Sequence, residues 1–223
     1  MFSLLLSACL STFAQQNKSL IDATLSAERE KNGWAATDVN DYIISDQYTD
    51  KQTALTYTYV QQRHHNIIIY NAISVFLIKD NKLLYYKPGL IDQLDKKIKT
   101  DKPSITAETA IAYALYQVGH TELGLVKLIN TEKELNRFTF ESPGISASPV
   151  KVQLVYRVVD EAVYLAWDVS IEMKNEPHWW NIRVNALTGD LIDKNDFTTE
   201  CDFGDISPGF LAHEHNSDRK SVV

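Results

Sequence analysis

The chain has 223 residues, a formal net charge of −7 and a pI near 5.4, which excludes the basic surface a nucleic-acid partner needs, and no Lys/Arg block supplies one locally. With 44% hydrophobic and 23% charged residues the composition is that of a globular protein, and a chain of this length buries roughly 70% of its unfolded surface without a metal or disulfide staple. One or two domains are expected on length.

The chain opens on Phe2 to Ala14, an uncharged run of apolar and small residues that is too short to span a bilayer. It reads as an export signal over residues 1–14, with cleavage between Ala14 and Gln15 after Thr12-Phe13-Ala14, and implies a secreted protein. Leu6-Ser7-Ala8-Cys9 offers an alternative, because it has the look of a bacterial lipobox that would anchor the chain to the envelope through a lipid on Cys9. No membrane span is expected. The chain has two cysteines, so removal of the signal leaves Cys201 alone.

Residues 15–37 form an N-terminal segment in which Ser19 to Asn32 suits a helix, with Leu20, Ile21 and Leu25 on one face and Gly33 to close it. Asp38 to Tyr48 starts on a capping residue and carries Val39, Tyr42 and Ile43 at helical spacing; a short helix or an extended lead-in both suit it. Thr53 to Gln61 and Ile67 to Ile78 are strands by their Thr, Tyr, Val and Ile content, and Lys82 to Tyr86 follows the Asp80-Asn81 turn as a third. Residues 90–103, polar, rich in Lys and bounded by Pro88 and Pro103, read as a linker. Thr106 caps a helix striped by Ala110, Ile111, Ala114, Leu115 and Val118, with Gly119 placed to end it. After the loop from Ser142 to Pro149 come three strands, Lys151 to Val159, Ala162 to Glu172 and His178 to Asn185, and a tight turn through Leu187-Thr188-Gly189-Asp190 leads to Leu191-Ile192. The fold class expected is α+β, two small modules, each an antiparallel meander packed with a helix.

Two stretches carry a family resemblance. TALTYTYVQQRHHNIIIYNAISVFLIKDNKLLYYKPG, from Thr53 to Gly89, resembles the fungalysin/thermolysin propeptide module, which places residues 38–89 in a cystatin-like unit. WNIRVNALTGDLID, with Asn185-Ala186-Leu187-Thr188-Gly189 at the turn, resembles the closing signature of a PepSY module and assigns it residues 104–195. Tyr57 stands where the propeptide family often has a His, and Asn66-Ile67-Ile68 where it usually has a Gly-Ile start; Asn tolerates the left-handed backbone such a turn demands.

The tandem implies the propeptide of a secreted zinc metalloendopeptidase precursor, a non-catalytic chaperone and inhibitor whose partner is the cognate peptidase catalytic domain. Zinc would then belong to that catalytic domain. This chain is expected to carry no catalytic residue, cofactor or metal ligand. It has no HExxH helix, and His213-Glu214-His215 has the wrong spacing for that site; no serine sits in a Gly-x-Ser-x-Gly frame. A propeptide inhibits by laying a segment in the cleft in an unproductive register, and residues 196–217 are the candidate plug, with Cys201 and Phe203 as contacts and Cys201 as a candidate zinc-binding thiolate. Trp179 and Trp180 point to opposite faces of a strand, so one is expected exposed as an anchor for the partner. His64 and His65 read as exposed turn residues or as a pH-sensing pair. Residues 218–223 (DRKSVV) match a translated sequencing adapter, so the natural chain is expected to continue past about Asn216 into a catalytic domain. Alternatives are a stand-alone secreted PepSY-type inhibitor acting in trans and an envelope lipoprotein that binds another ligand.

Overall fold

The computed structural model describes residues 4–122 and 124–198, with side chains from residue 17 onward. Helix α1 (Leu4–Asn32) leads through a 3-10 turn (Ala36–Asp38) into strands β1 (Tyr42–Thr49), β2 (Thr56–His64), β3 (Ile67–Lys79) and β4 (Lys82–Lys87). One helical turn, α2 (Leu94–Lys97), and helix α3 (Ala107–Tyr116) follow. Strands β5 (Lys127–Glu132), β6 (Arg137–Glu141), β7 (Val150–Val159), β8 (Ala162–Glu172), β9 (Trp179–Asn185) and β10 (Leu191–Asp196) complete the described chain. The fold is mixed α+β, a large, mostly antiparallel sheet with few helices.

Period-2 burial makes the strands. In β2 the buried positions are Thr58, Val60, Gln62 and His64, and in β7 they include Val150, Val152, Leu154 and Tyr156. Three hairpins close through two-residue turns, His65-Asn66, Asp80-Asn81 and Asp160-Glu161, and both central residues of each have positive φ, the twist that suits a tight hairpin. β1 to β4 pair antiparallel in sequence order, as do β5 to β10. A short parallel contact, Ile68 opposite Val155 and Ile69 opposite Tyr156, fuses the two meanders into one sheet of 10 strands.

Each meander has its own apolar cluster on the helix-bearing face. Ile21 and Leu25 of α1 pack on Val60, Phe76 and Ile78. Ala110, Ile111, Ala114 and Leu115 of α3 pack on Val152, Leu154, Val169, Ile182 and Val184. The second cluster also takes Ile67, Ile69 and Ala72 from β3 and Leu94 from α2. It therefore reaches back across the fusion.

Several expectations shift. The helix expected from Ser19 starts at Leu4, so the backbone is helical through Ala14 and Gln15. Asp38 to Tyr48 is not helical beyond the 3-10 turn: Asp38 is spent on other backbone groups, and β1 gains a full ladder with β2. The stretch read as a linker is anchored, because Leu94 is wholly buried and Ile91 and Ile98 pack on the larger cluster. Strands β5 and β6 are additions to the expected elements. Residues Lys127 to Glu132 of β5 are almost all exposed, so no alternation marks them. Thr106 does cap α3, its hydroxyl accepting from the Thr109 amide at 3.1 Å, and Gly119 has a φ of +89°.

Candidate partner surface

The face opposite the helices differs between the two meanders. On the second, strand register aligns Gln153, Asp168, Arg183 and Asp193 in one row across β7 to β10, and Ser170, Asn181 and Asn195 in the next. Arg183 sits at the centre with no exposed surface. Its guanidinium donates to Asp193, to the Asn181 and Asn195 side chains, to the Tyr70 hydroxyl at 3.1 Å and to Asp168 at 3.3 Å. Arg157 donates to the other oxygen of Asp193, and both guanidinium groups lie over the Tyr70 ring, at 5.3 Å and 4.7 Å. Burial pushes the Asp168 carboxyl up, against the pull of Arg183. Nearly every donor is used within the network. The arrangement can bind the two halves together, since Tyr70 is on β3, but it has little capacity left for a ligand. Sequence reasoning missed it, although Asn181, Arg183 and Asn185 on alternate positions of a strand mark a polar face.

Of the expected anchor residues, Trp179 lies at the rim of this face. Trp179 is 49% exposed; its indole donates to Ser170 at 3.0 Å, and its ring meets Phe197 edge-on at 6.0 Å. Trp180 turns to the helix side, half-buried, with the Lys194 ammonium 5.4 Å above its ring. Asp196 ties down the end of β10: its carboxylate accepts from the amides of Thr198 at 3.0 Å and Trp179 at 3.2 Å and pairs with His178 at 2.6 Å. The Thr198 amide and His178 bonds hold the Asp196 carboxyl down, at about 2. So Trp179 and Phe197 are brought together. Cys201, Phe203 and His213-Glu214-His215 lie outside the described residues, as does most of 196–217.

On the first meander the same face is aromatic. The Tyr48 and Tyr57 rings stack at 4.8 Å with planes 10° apart, and Tyr59 lies 6.4 Å from Tyr48. Register sets Tyr57, Leu77 and Tyr85 in a row, and Tyr48, Ile73 and Tyr85 are exposed. A cleft of about 740 Å³ opens between the meanders, with Arg63, His65, Asp101, Lys133 and Glu134 on its rim and Trp167 in its floor.

The seam below that cleft corrects the reading of the histidines. His65 is exposed, but His64 is 3% exposed and is packed against its neighbour and Tyr156. Gln62, wholly buried, holds the join from inside. Its amide nitrogen donates to the Asp38 carbonyl at 2.7 Å and the Ile91 carbonyl at 2.8 Å, and its oxygen accepts from the Ile91 amide at 2.8 Å. The Asp38 carboxylate accepts from the amides of Ala35, Gln93 and Leu94 at 3.0, 3.0 and 2.9 Å. Among the described residues no group of three His, Cys, Asp or Glu is placed to hold a metal ion, and no helix is long and apolar enough to cross a membrane.

No family model matches the chain, and no curated protein matches it. Among solved structures, the Bacillus megaterium YpeB C-terminal domain is similar over 81% of this chain at 14% identity, with a TM-score of 0.35. The chain spans 64% of the length of that solved chain.

Proposed function

We propose that this chain is a non-catalytic guardian of a secreted, fungalysin-like zinc metallopeptidase, a propeptide that helps the peptidase domain fold and keeps it inhibited. In this reading residues 38–89 are the cystatin-like propeptide module and residues 104–195 the PepSY-like module. The observation that carries it is the Trp179–Phe197 pair. Two large aromatic rings stand exposed and fixed where β10 leaves the sheet, next to the segment read as the plug. Rings pre-set by Ser170 and Asp196 cost little to order on binding, and buried aromatics are the commonest anchors of an interface. The arrangement of a helix over an antiparallel meander, used twice, is compatible with the two modules that the sequence motifs resemble.

In this reading labour is divided within the chain. The sheet supplies binding area, and the residues after Thr198 supply the segment that occupies the cleft. The test adds the full chain, and a version ending at Thr198, to the mature catalytic domain of a fungalysin-type peptidase from the same organism. Inhibition and a higher refolding yield with the full chain, and binding with much weaker inhibition by the shorter one, are the expected results. A full chain that neither binds, slows cleavage nor raises the refolding yield rejects the guardian role.

A further inference from the structure

The seam between the meanders is closed by titratable side chains. His64, at the end of β2, stacks on His65 with ring centroids 4.1 Å apart and meets the Tyr156 ring of β7 at 6.2 Å, nearly edge-on. Asp95 of α2 lies 3.6 Å from its Nε2, and Asp38 and Asp41 face it from the segment before β1. His65 faces Asp101 of the join at 3.4 Å, and the Tyr156 hydroxyl donates to the Thr100 carbonyl at 3.3 Å. Arg63, the cation beside the pair, is tied to Asp41 at 2.8 Å. Thus β2, its turn, α2, the join and β7 all meet on one or the other imidazole.

The acids around His64 are already engaged. Asp38 accepts three backbone amides, Asp41 takes Arg63 and the Asn66 amide, and Asp95 accepts from the Thr37 hydroxyl at 2.6 Å. At 3.6 Å, Asp95 is also beyond hydrogen-bond reach of the ring. A proton on His64 would therefore create a buried imidazolium stacked on a second imidazole, with Asp95 at 3.6 Å as its nearest carboxylate but no hydrogen bond to it.

We propose that the His64–His65 stack is an acid-sensitive latch: neutral, it clamps the 90–103 join between the two meanders, and protonation of His64 releases it. Burial, and next the neighbouring His65, hold the His64 imidazole below its usual range, against Asp95, Asp41 and Asp38. The sign follows from that direction. A depressed folded value means that the opened state binds the proton first, so the clamp is at full strength above about pH 6.5 and weakens as pH falls toward the folded value. Within that window opening becomes easier by up to about ten-fold per pH unit. The latch stands whether or not the chain guards a peptidase.

The experiment is hydrogen exchange on the full chain at pH 7.5 and 5.5, corrected for intrinsic rates, beside NMR titration of the His64 ring. The Leu94 and Ile98 amides, bonded to Asp38 and to the Leu94 carbonyl, are expected to open several-fold more easily at pH 5.5, with no such change in His64→Phe, which keeps a ring but cannot titrate. His64→Gln serves as a second non-titrating variant. If the Phe variant does not fold, the wild-type titration still decides. A His64 ring that titrates at or above the usual imidazole value, join amides indifferent to pH, or an equal pH response in the non-titrating variants overturns the latch.

Discussion

The two halves of the helix-free sheet face share one pleat and one alternation, yet they are built in opposite ways. On the second meander the outward positions hold Arg157, Asp168, Asn181, Arg183 and Asp193, whose charges and amides are largely consumed by each other. On the first they hold Tyr48, Tyr57, Tyr59, Leu77 and Tyr85, whose main mutual contact is a stack of rings. A closed polar network contributes to fold specificity and offers a partner little. An uncovered aromatic surface does the reverse. In the guardian reading the docking energy is expected from exposed rings on either half, Trp179 and Phe197 at the rim of the second meander first and the Tyr48 and Tyr85 patch of the first meander next.

The largest test of that contrast is Arg183→Ala. It removes the wholly buried cation that Asp168, Asp193 and Asn195 share and leaves Asp168 only the Asn181 amide and Asp193 only Arg157, and a loss of about 3–5 kcal/mol in urea unfolding is expected. Tyr85→Ser on the other half should shift stability by no more than about 0.5 kcal/mol. Equal losses would erase the distinction between the faces. Gly189→Ala comes next. With a φ of +83° and a Cβ that would lie 2.6 Å from the Tyr113 ring, it is expected to cost about 1–3 kcal/mol by thermal or urea unfolding. An unchanged midpoint would mean that the turn and α3 do not pack as described.

Trp179→Ala sharpens the comparison from the functional side. Stability should fall by less than about 1 kcal/mol, while binding of the peptidase domain weakens by about 2 kcal/mol, or some 30-fold. Calorimetric titration beside Tyr85→Ala separates the two patches, and the larger loss at Tyr85 would move the anchor to the first meander. The smallest effect is expected at Asp196. Its carboxyl is held at about 2 in the fold, so the stability it adds is complete above about pH 4 and vanishes as pH falls through 2. The acid limb of the unfolding profile over that range should be shallower in Asp196→Asn, and an unaltered limb removes the role assigned to that carboxylate.

How much of this was legible depends on how each element is held. α3 could be read because its cap, stripe and closing glycine are local in sequence. The strands with alternating burial could be read for the same reason. β5 could not, since an exposed edge strand shows no alternation. The join failed differently: its Lys-rich composition describes the residues that face water, while Leu94, Ile91 and the carboxylate of Asp38 decide where it sits. The Arg183 network was hidden because its partners come from β3, β7, β8, β9 and β10, and only register unites them. The two tryptophans were placed at opposite faces by alternation alone, but which one faces outward needed the sheet.

The most direct measurement of the guardian role is the inhibition constant of the full chain, of Trp179→Ala and of the version ending at Thr198 against one mature fungalysin-type catalytic domain, at pH 7.5. The account predicts inhibition by the full chain, roughly 30-fold weaker inhibition when Trp179 is lost, and retained binding with largely lost inhibition when the chain stops at Thr198. Full-strength inhibition by the version ending at Thr198 contradicts the plug, and no binding by the full chain contradicts the account as a whole.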